Sequence, residues 1–234
     1  MTTHTLMRGI FLVFVLLLPF STEGQEVNPL FSDLPSTHPA YEAVRYLKER
    51  GIISGYRDGT FQPERKVTRA EAVKIVVAPL TNPQQLGQFQ ESSFPDVLAG
   101  TWYLPYVEVA RQSLKIIDGP PKGPLFQPEQ AVRKVEFIKM VLLANRVDPN
   151  AFGEIRLPLS SDVTNPDEWY YPYLRYAVSS SMTMASQSGL FAPGRELTRS
   201  DVALLLHRFL LYREEKRIQE LLTEANSAIA NIVA

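Results

Sequence analysis

The stretch GIISGYRDGTFQPERKVTRAE, residues 51–71, contains the pattern that decides the fold. It predicts the end of one helix, a glycine-rich turn, a short extended segment and the start of a second helix. Gly51 stands where a helix C-terminal glycine is favoured. Gly55, Asp58 and Gly59 are typical turn residues, because glycine adopts positive φ at little cost and aspartate bonds its own backbone. The rest of the chain either resembles this stretch or connects copies of it.

The stretch recurs twice at a spacing of 65 residues. Four columns share this spacing, which are Phe61, Phe126 and Phe191; Pro63, Pro128 and Pro193; Arg69, Lys134 and Arg199; and Glu71, Glu136 and Asp201. A fixed period of this kind indicates a repeat architecture. Since one helix–loop–helix unit is too small to bury its own apolar face, we expect the three units to pack on one another in one domain.

The second helix of each copy begins at a capping motif. In the first copy Thr68 and Glu71 form the pattern of a capping box, in which each side chain accepts the amide of the other residue. The third copy has the same pattern in Thr198 and Asp201. The second copy keeps Glu136 but has an arginine at the cap position, so we expect the hydroxyl cap to be lost there.

Three motifs of the first copy carry a resemblance to a known family: Phe31-Ser-Asp33, GIISGYRDGTFQP and Val67-Thr-Arg-Ala-Glu71. Together they resemble the S-layer homology domain, a bacterial module that holds surface proteins to the cell wall. The resemblance implies an all-α, mainly helical fold, with three helix–loop–helix repeats arranged as lobes around a pseudo-threefold axis. The predicted boundaries of the repeats are 29–83, 92–146 and 158–213.

The first helical position after each cap holds a cation, namely Arg69, Lys134 or Arg199. A cation there opposes the helix dipole by roughly 0.3–1 kcal/mol, and a guanidinium beside free helix amides is suited to a carboxylate or phosphate. The residues alone leave two interpretations open. Each cation binds an anionic ligand, or it pairs with a neighbouring carboxylate such as Asp33 or Asp96 and ties the copies together.

The resemblance favours the ligand, because it implies that these cations bind an anionic cell-wall polysaccharide, commonly one with a pyruvate ketal. Lys134 departs from the motif, since an ammonium cannot make the two parallel bonds of a guanidinium. Trp102 and Trp169 lie at the start of the first helix in copies two and three. We expect them to wall a sugar-binding groove, or to fill the centres of the lobes.

Two departures put single grooves in doubt. His38 takes the place of the tryptophan in the first copy. In the third copy we align Ser186 with Gly55 and Gly119, and the loop MTMASQSGLF lacks an Asp-Gly pair. We therefore expect this loop to be degenerate, and fewer than three grooves to bind ligand.

The composition excludes several classes of function. The chain of 234 residues has 24 basic and 25 acidic side chains, so its net charge of -1 gives no argument for nucleic-acid binding. The absence of cysteine excludes disulfides, thiolate metal sites and cysteine nucleophiles. The three histidines lack metal-ligand spacing and the sequence contains no EF-hand, phosphate-loop or hydrolase motif. We expect no metal, no cofactor and no enzymatic activity.

Both ends of the chain carry separate signals. Arg8 precedes an apolar run over residues 9–20, which predicts a secretory signal peptide over residues 1–24 or an uncleaved anchor. We therefore expect a secreted protein of the cell surface. Residues 214–234 continue a helical pattern that is too short and too charged to span a membrane. This tail either folds back on the domain or self-associates, and the alternative function is a scaffold whose tail recruits a partner.

Overall fold

The computed structural model describes residues 30–117, 124–155 and 158–215. This part of the chain is mainly helical and contains no sheet, only isolated β-bridges between short extended segments. The predicted all-α class is therefore confirmed. The predicted signal peptide, Gly119 and nearly all of the predicted C-terminal tail lie outside the described residues.

The first unit consists of two helices joined by the glycine-rich loop. Helix α1 spans Tyr41–Glu49 and α2 spans Arg69–Val77, followed by a 3-10 turn at Ala78–Leu80. The chain reverses after α1 at Gly51, whose φ of 67° places it in the left-handed region that glycine tolerates. A short helix, α3, spans Pro83–Leu86 in the segment that leads to the second unit.

The second and third units repeat this pair of helices. In the second unit α4 spans Leu104–Glu108, continues as a π-turn over Val109–Ser113, and is followed by α5 at Lys134–Ala144. In the third unit α6 spans Tyr171–Ser179, and α7 begins at residue 199 and is described through residue 215. A π-turn accommodates an extra residue within a helix. It thus accommodates part of the extra length of the second unit, in which Asp96 and Phe126 are 30 positions apart, compared with 28 for Asp33 and Phe61.

The extended segments before α2, α5 and α7 close the three units into a ring. The amide of Val67 donates to the carbonyl of Leu197 at 3.0 Å, that of Val132 to Val67 at 2.9 Å, and that of Leu197 to Val132 at 3.0 Å. All three side chains are fully buried. Every segment is both donor and acceptor, so these contacts relate the units by a pseudo-threefold axis.

A carboxylate near the start of each unit fixes the loop of that unit. Asp33 accepts the amides of Phe61 and Gln62, both at 2.7 Å. Asp96 and Asp162 accept the corresponding pair of amides in their own units at 2.6–3.1 Å. Gln62 and its counterparts have positive φ, which turns their amides towards the carboxylate. The bonds hold the loop phenylalanine of each unit in the core.

Gly55 is required by a close approach within the first unit. A Cβ atom at this position would lie 2.1 Å from the ring of Phe31, which packs against Phe61 at a centroid distance of 5.4 Å. The turn that follows is closed by the amide of Tyr56, which donates to the carbonyl of Thr60 at 2.8 Å. The position of the buried Phe31 ring and the turn that follows thus both leave no room for a side chain at Gly55.

The third unit keeps the same turn, so the prediction of a degenerate loop is wrong for its backbone. The amide of Ser186 donates to the carbonyl of Leu190 at 2.9 Å, and Gly189 has a φ of 76°. Ser186 therefore corresponds to Tyr56 and not to Gly55. A Ser-Gly pair takes the place of the Asp-Gly pair. The turn is kept because its positive φ comes from the glycine, and the aspartate is not needed for it.

A buried carboxylate attaches the first residues of the second unit to α4. Glu108 on α4 is fully buried and accepts hydrogen bonds from Ser92, Ser93 and Gln112 at 2.6–2.9 Å. Burial acts to raise the pKa of Glu108, but these hydrogen bonds outweigh burial and hold the pKa below its ordinary value. The ionised carboxylate is therefore a stable part of the packing between this segment and α4.

We expect Asp33→Ala to lower the free energy of unfolding by about 2 kcal/mol, because two partly buried loop amides lose their charged acceptor. Urea unfolding followed by circular dichroism measures the change. Glu91→Ala removes an exposed carboxylate and is the matched control. Equal unfolding midpoints for the two variants would contradict the role of Asp33.

Candidate functional site

The three cations at the helix starts each reach the following unit. Their side chains donate to the carbonyl of the loop phenylalanine there: Arg69 Nε to Phe126 at 2.9 Å, Lys134 Nζ to Phe191 at 2.8 Å, and Arg199 Nε to Phe61 at 2.7 Å. Because the third unit contacts the first, the three bonds form a cycle. We call the regions around them the Arg69, Lys134 and Arg199 junctions.

The amides at the start of α2 are all engaged within the protein. Those of Arg69 and Ala70 donate to carbonyls of the second unit at 2.8 and 3.0 Å, and that of Glu71 donates to the Thr68 hydroxyl at 3.3 Å. The expectation that free helix amides bind an anion therefore does not hold here. An anion at the start of α2 would therefore have to be bound by side chains.

The capping motifs differ as the sequence indicates. Thr68 and Glu71 form the complete reciprocal box in α2, and Thr198 and Asp201 do so in α7. In α5 the Glu136 carboxylate accepts the amide of residue 133 at 3.0 Å, but the arginine there has no side-chain oxygen to return the bond.

In the Arg69 junction the cation is buried and paired with a carboxylate. The side chain of Arg69 is only 4% exposed, and its Nη1 lies 3.2 Å from Oε2 of Glu136. Neither Asp33 nor Asp96 is its carboxylate partner, since both bind loop amides. This junction matches the interpretation in which the cation ties two units together.

The Lys134 junction contains a buried ammonium. Burial and then the nearby positive charge of Arg195 lower the pKa of Lys134 to about 8. Arg195 itself forms two hydrogen bonds to the Asp201 carboxylate, at 2.7 and 2.8 Å. The carboxylate of this junction, Asp201, is therefore paired with Arg195. In the described part of the chain Lys134 has no close carboxylate partner.

The Arg199 junction contains the most accessible of the three cations. Arg199 is partly exposed, and its Nη2 donates to the carbonyl of Ser54 at 2.8 Å in an exposed hydrogen bond. The guanidinium lies 4.8 Å from the ring centre of Tyr56. Among the described residues, no carboxylate lies within 4.0 Å of it. Burial lowers the pKa of Arg199, from a value high enough that the group stays charged at neutral pH.

The neighbours of Arg199 explain why it lacks an acid partner. Arg65 donates to the Tyr56 hydroxyl at 2.6 Å and forms an ion pair with Glu71. The carboxylate of this junction is thus occupied by Arg65. Sequence reasoning missed Arg65 and Tyr56, although Arg65 belongs to a further column at the repeat spacing, with Gln130 and Arg195.

Both tryptophans lie at the surface. Trp102 is 51% exposed and Trp169 is 43% exposed, so neither fills the centre of a lobe. Each packs edge-on against the tyrosine that follows it. The ammonium of Lys74 lies 5.4 Å from the Trp102 ring, and that of Lys139 lies 5.8 Å from the Trp169 ring. The structure thus has two exposed tryptophans, each with a lysine ammonium beside its ring.

Within the described ranges, no three acidic or histidine side chains are grouped so that they could hold a metal ion. The helices described there also lack the combination of length and apolar character that crossing a membrane requires.

The fold and these contacts define an all-α module in which helix–loop–helix units close in a cycle, with a cation at each junction. Residues 30–73 match the family model of the S-layer homology domain. The match covers the first unit and agrees with the resemblance that the motifs of this unit predict.

The chain is similar to relatives with different roles. It is 29% identical over 123 residues to an S-layer protein of Bacillus thuringiensis subsp. finitimus, covering 53% of this chain and 14% of that protein. It is also 29% identical over 129 residues to a cellulosome-anchoring protein of Acetivibrio thermocellus, covering 52% of this chain and 27% of the relative. It is 24% identical over 186 residues to an amylopullulanase of Thermoanaerobacterium thermosulfurigenes, covering 79% of this chain and 10% of that protein.

The chain therefore spans between 10% and 27% of the length of these three relatives. The similarity to S-layer proteins confirms the predicted class of a bacterial cell-surface protein.

The low pKa of Lys134 predicts a distinctive dependence of stability on pH. Between about pH 8 and 10.5 the folded state releases the Lys134 proton while the unfolded state keeps it. The free energy of unfolding therefore rises with pH in this window, because fewer protons are bound in the folded state. Relative to Lys134→Met, we expect the wild type to gain about 2 kcal/mol between about pH 7 and 9.5, measured by urea unfolding. Parallel pH profiles of the two proteins would contradict the assignment.

Proposed function

We propose that the protein is a non-catalytic anchor that binds an anionic polysaccharide of the bacterial cell wall. Relatives named as S-layer and cellulosome-anchoring proteins support an anchoring role. The finer proposal is that the ligand carries a carboxylate, as in a pyruvate ketal. It is supported by a partly exposed guanidinium without an acid partner at the Arg199 junction, and this observation carries the proposal.

The mixture of relatives supports a role other than catalysis. The chain is similar to parts of an S-layer protein, an anchoring protein and an amylopullulanase. The matched region covers only 10% of the amylopullulanase. We therefore propose that attachment, and not a shared reaction, is the property common to these proteins.

The Arg199 junction has the chemistry to bind a carboxylate. The Nε of Arg199 is bonded to Phe61 and one Nη to Ser54, so the guanidinium is held in a fixed orientation. A ligand carboxylate would replace water or the exposed Ser54 bond at the outer edge of this group. Arg65 adds a second positive charge beside the site, and the Tyr56 ring adds an apolar face for a sugar.

The Lys134 junction is the second proposed site. Its ammonium is more buried than the guanidinium of Arg199, and it makes single bonds only. We therefore propose weaker binding there, with Arg199 as the principal residue and Lys134 as a secondary one.

The exposed tryptophans are proposed to extend the binding surface. Trp102 and Trp169 present apolar faces on which sugar rings stack, and the exposed ammonium of Lys74 lies within 6 Å of the Trp102 ring for an acidic substituent. Sugars further along a polysaccharide would contact these rings. Such contacts would make a polymer bind more tightly than a single sugar.

We also propose that the repeat boundaries at residues 29–83, 92–146 and 158–213 define three S-layer homology modules. The family model itself matches the first of them. The corresponding carboxylate-to-loop bonds and the closed ring of backbone bonds support the proposal for the two later units. A cleaved signal peptide over residues 1–24 and a separate tail over residues 214–234 belong to the same proposal.

Arg199→Ala is expected to weaken binding of a pyruvate-ketal methyl glycoside about 10- to 100-fold, because a charge-assisted hydrogen bond contributes roughly 1.5–3 kcal/mol. Isothermal titration calorimetry measures the affinity. Arg57→Ala removes an exposed arginine from the adjacent loop and controls for net charge. Arg199→Lys is expected to weaken binding to an intermediate extent.

The same glycoside without its ketal is the ligand control, and binding to purified walls is measured by co-sedimentation. Unchanged affinity in Arg199→Ala, or equal affinity for the two glycosides, would overturn the assignment of the carboxylate site. Release of reducing ends from wall material would overturn the non-catalytic role.

A further inference from the structure

The three junctions differ at one column of the repeat that the family motif does not include. The residue four positions before each cation is Arg65, Gln130 or Arg195. We infer that Gln130 sets the pairing of Arg69, and thereby determines that the Arg69 junction has no cation available for a ligand. The second half of this inference rests on the proposed function.

The two arginines of the column hold the acid of their own unit. Arg65 forms an ion pair with Glu71, and Arg195 binds both oxygens of Asp201 at 2.7 and 2.8 Å. In both cases the arginine and the acid are six residues apart. The cation that reaches this region from the preceding unit is then left without a carboxylate.

The second unit lacks this internal pair. Gln130 carries no charge, and among the described residues Glu136 forms no ion pair with an arginine side chain of its own unit. Its Oε2 accepts the amide of Arg133 at 3.0 Å and lies 3.2 Å from Nη1 of Arg69. Glu136 therefore pairs with Arg69, the cation of the first unit.

The backbone places Gln130 in the same position as the two arginines. The carbonyl of Gln130 accepts the amide of Arg69 at 2.8 Å, just as the carbonyls of Arg65 and Arg195 accept the amides of the other two cations at 2.9 Å. An arginine at position 130 would therefore start from the geometry that lets Arg65 and Arg195 reach their acids. Within this column, the Arg69 junction differs from the other two in the side chain alone, because the backbone contact is the same.

The consequence is a difference in local charge. The Arg199 junction contains two guanidinium groups and one carboxylate, whereas the Arg69 junction contains one of each. Gln130 is a positioning residue in this scheme, since it acts through Glu136 on the state of Arg69.

The crystal structure of Gln130→Arg without ligand tests the pairing. We expect the introduced arginine to bind Glu136 and the distance from Arg69 Nη1 to Glu136 to exceed 4 Å, compared with 3.2 Å in the wild type. Gln130→Met has a similar length and no charge, and it is expected to keep the wild-type pair. Persistence of the Arg69 pair in Gln130→Arg would overturn the inference, whatever the ligand proves to be.

Titration calorimetry with the pyruvate-ketal methyl glycoside tests the effect on binding. Gln130→Arg is expected to bind one more equivalent than the wild type and Gln130→Met, and the added site is expected to be lost again in the double variant with Arg69→Met. An exchanged pair with no added equivalent would overturn the step from pairing to ligand binding. Absence of binding in the wild type would instead overturn the proposed function and leave the structural result intact.

Discussion

The ring of backbone hydrogen bonds among Val67, Val132 and Leu197 is the constraint on which the rest of the structure depends. These three residues are fully buried at the point where the units meet, so their amides and carbonyls have no access to water. Each unit supplies one donor and one acceptor, and only three units together satisfy all of them. The ring also fixes the starts of α2, α5 and α7, because each of these helices begins two residues after its ring residue. The position of each junction cation follows directly.

The junction cations show how an unfavourable local feature becomes a contact between units. A positive charge at the first position of a helix opposes the helix dipole. In this protein each such charge reaches a loop carbonyl of the following unit, whose phenylalanine is in turn held by a carboxylate near the start of that unit. The carbonyl is an acceptor that would otherwise be buried beside apolar rings. What remains for a ligand is the part of each guanidinium or ammonium that these bonds and the local acids leave available, and this part differs among the three junctions.

Much of the fold could be predicted from the sequence, because the repeat spacing, the turn glycines and the capping pairs are local patterns. The positions of Arg69, Lys134 and Arg199 at helix starts followed from those patterns as well. The partners of these residues did not, because they come from another unit and depend on how the units are ordered around the axis. Ser186 was misaligned by one residue, since the third loop keeps its turn through Gly189 while losing the aspartate. The exposure of Trp102 and Trp169 was equally out of reach, because an aromatic residue at a helix start suits either a core or a surface.

The contact between the third and first units has a consequence for how the chain folds. Arg199 bonds to residues that precede it by 138 and 145 positions, so this part of the ring forms only when nearly the whole domain is available. Linear repeat proteins add units one at a time, and each new unit needs only its neighbour. In this protein the first unit cannot complete its contacts until the third unit is present. Closing so long a loop costs conformational entropy before any of its bonds are made. The domain is therefore expected to remain an incomplete ring until the third unit is available, and to reach its native state in a single late step.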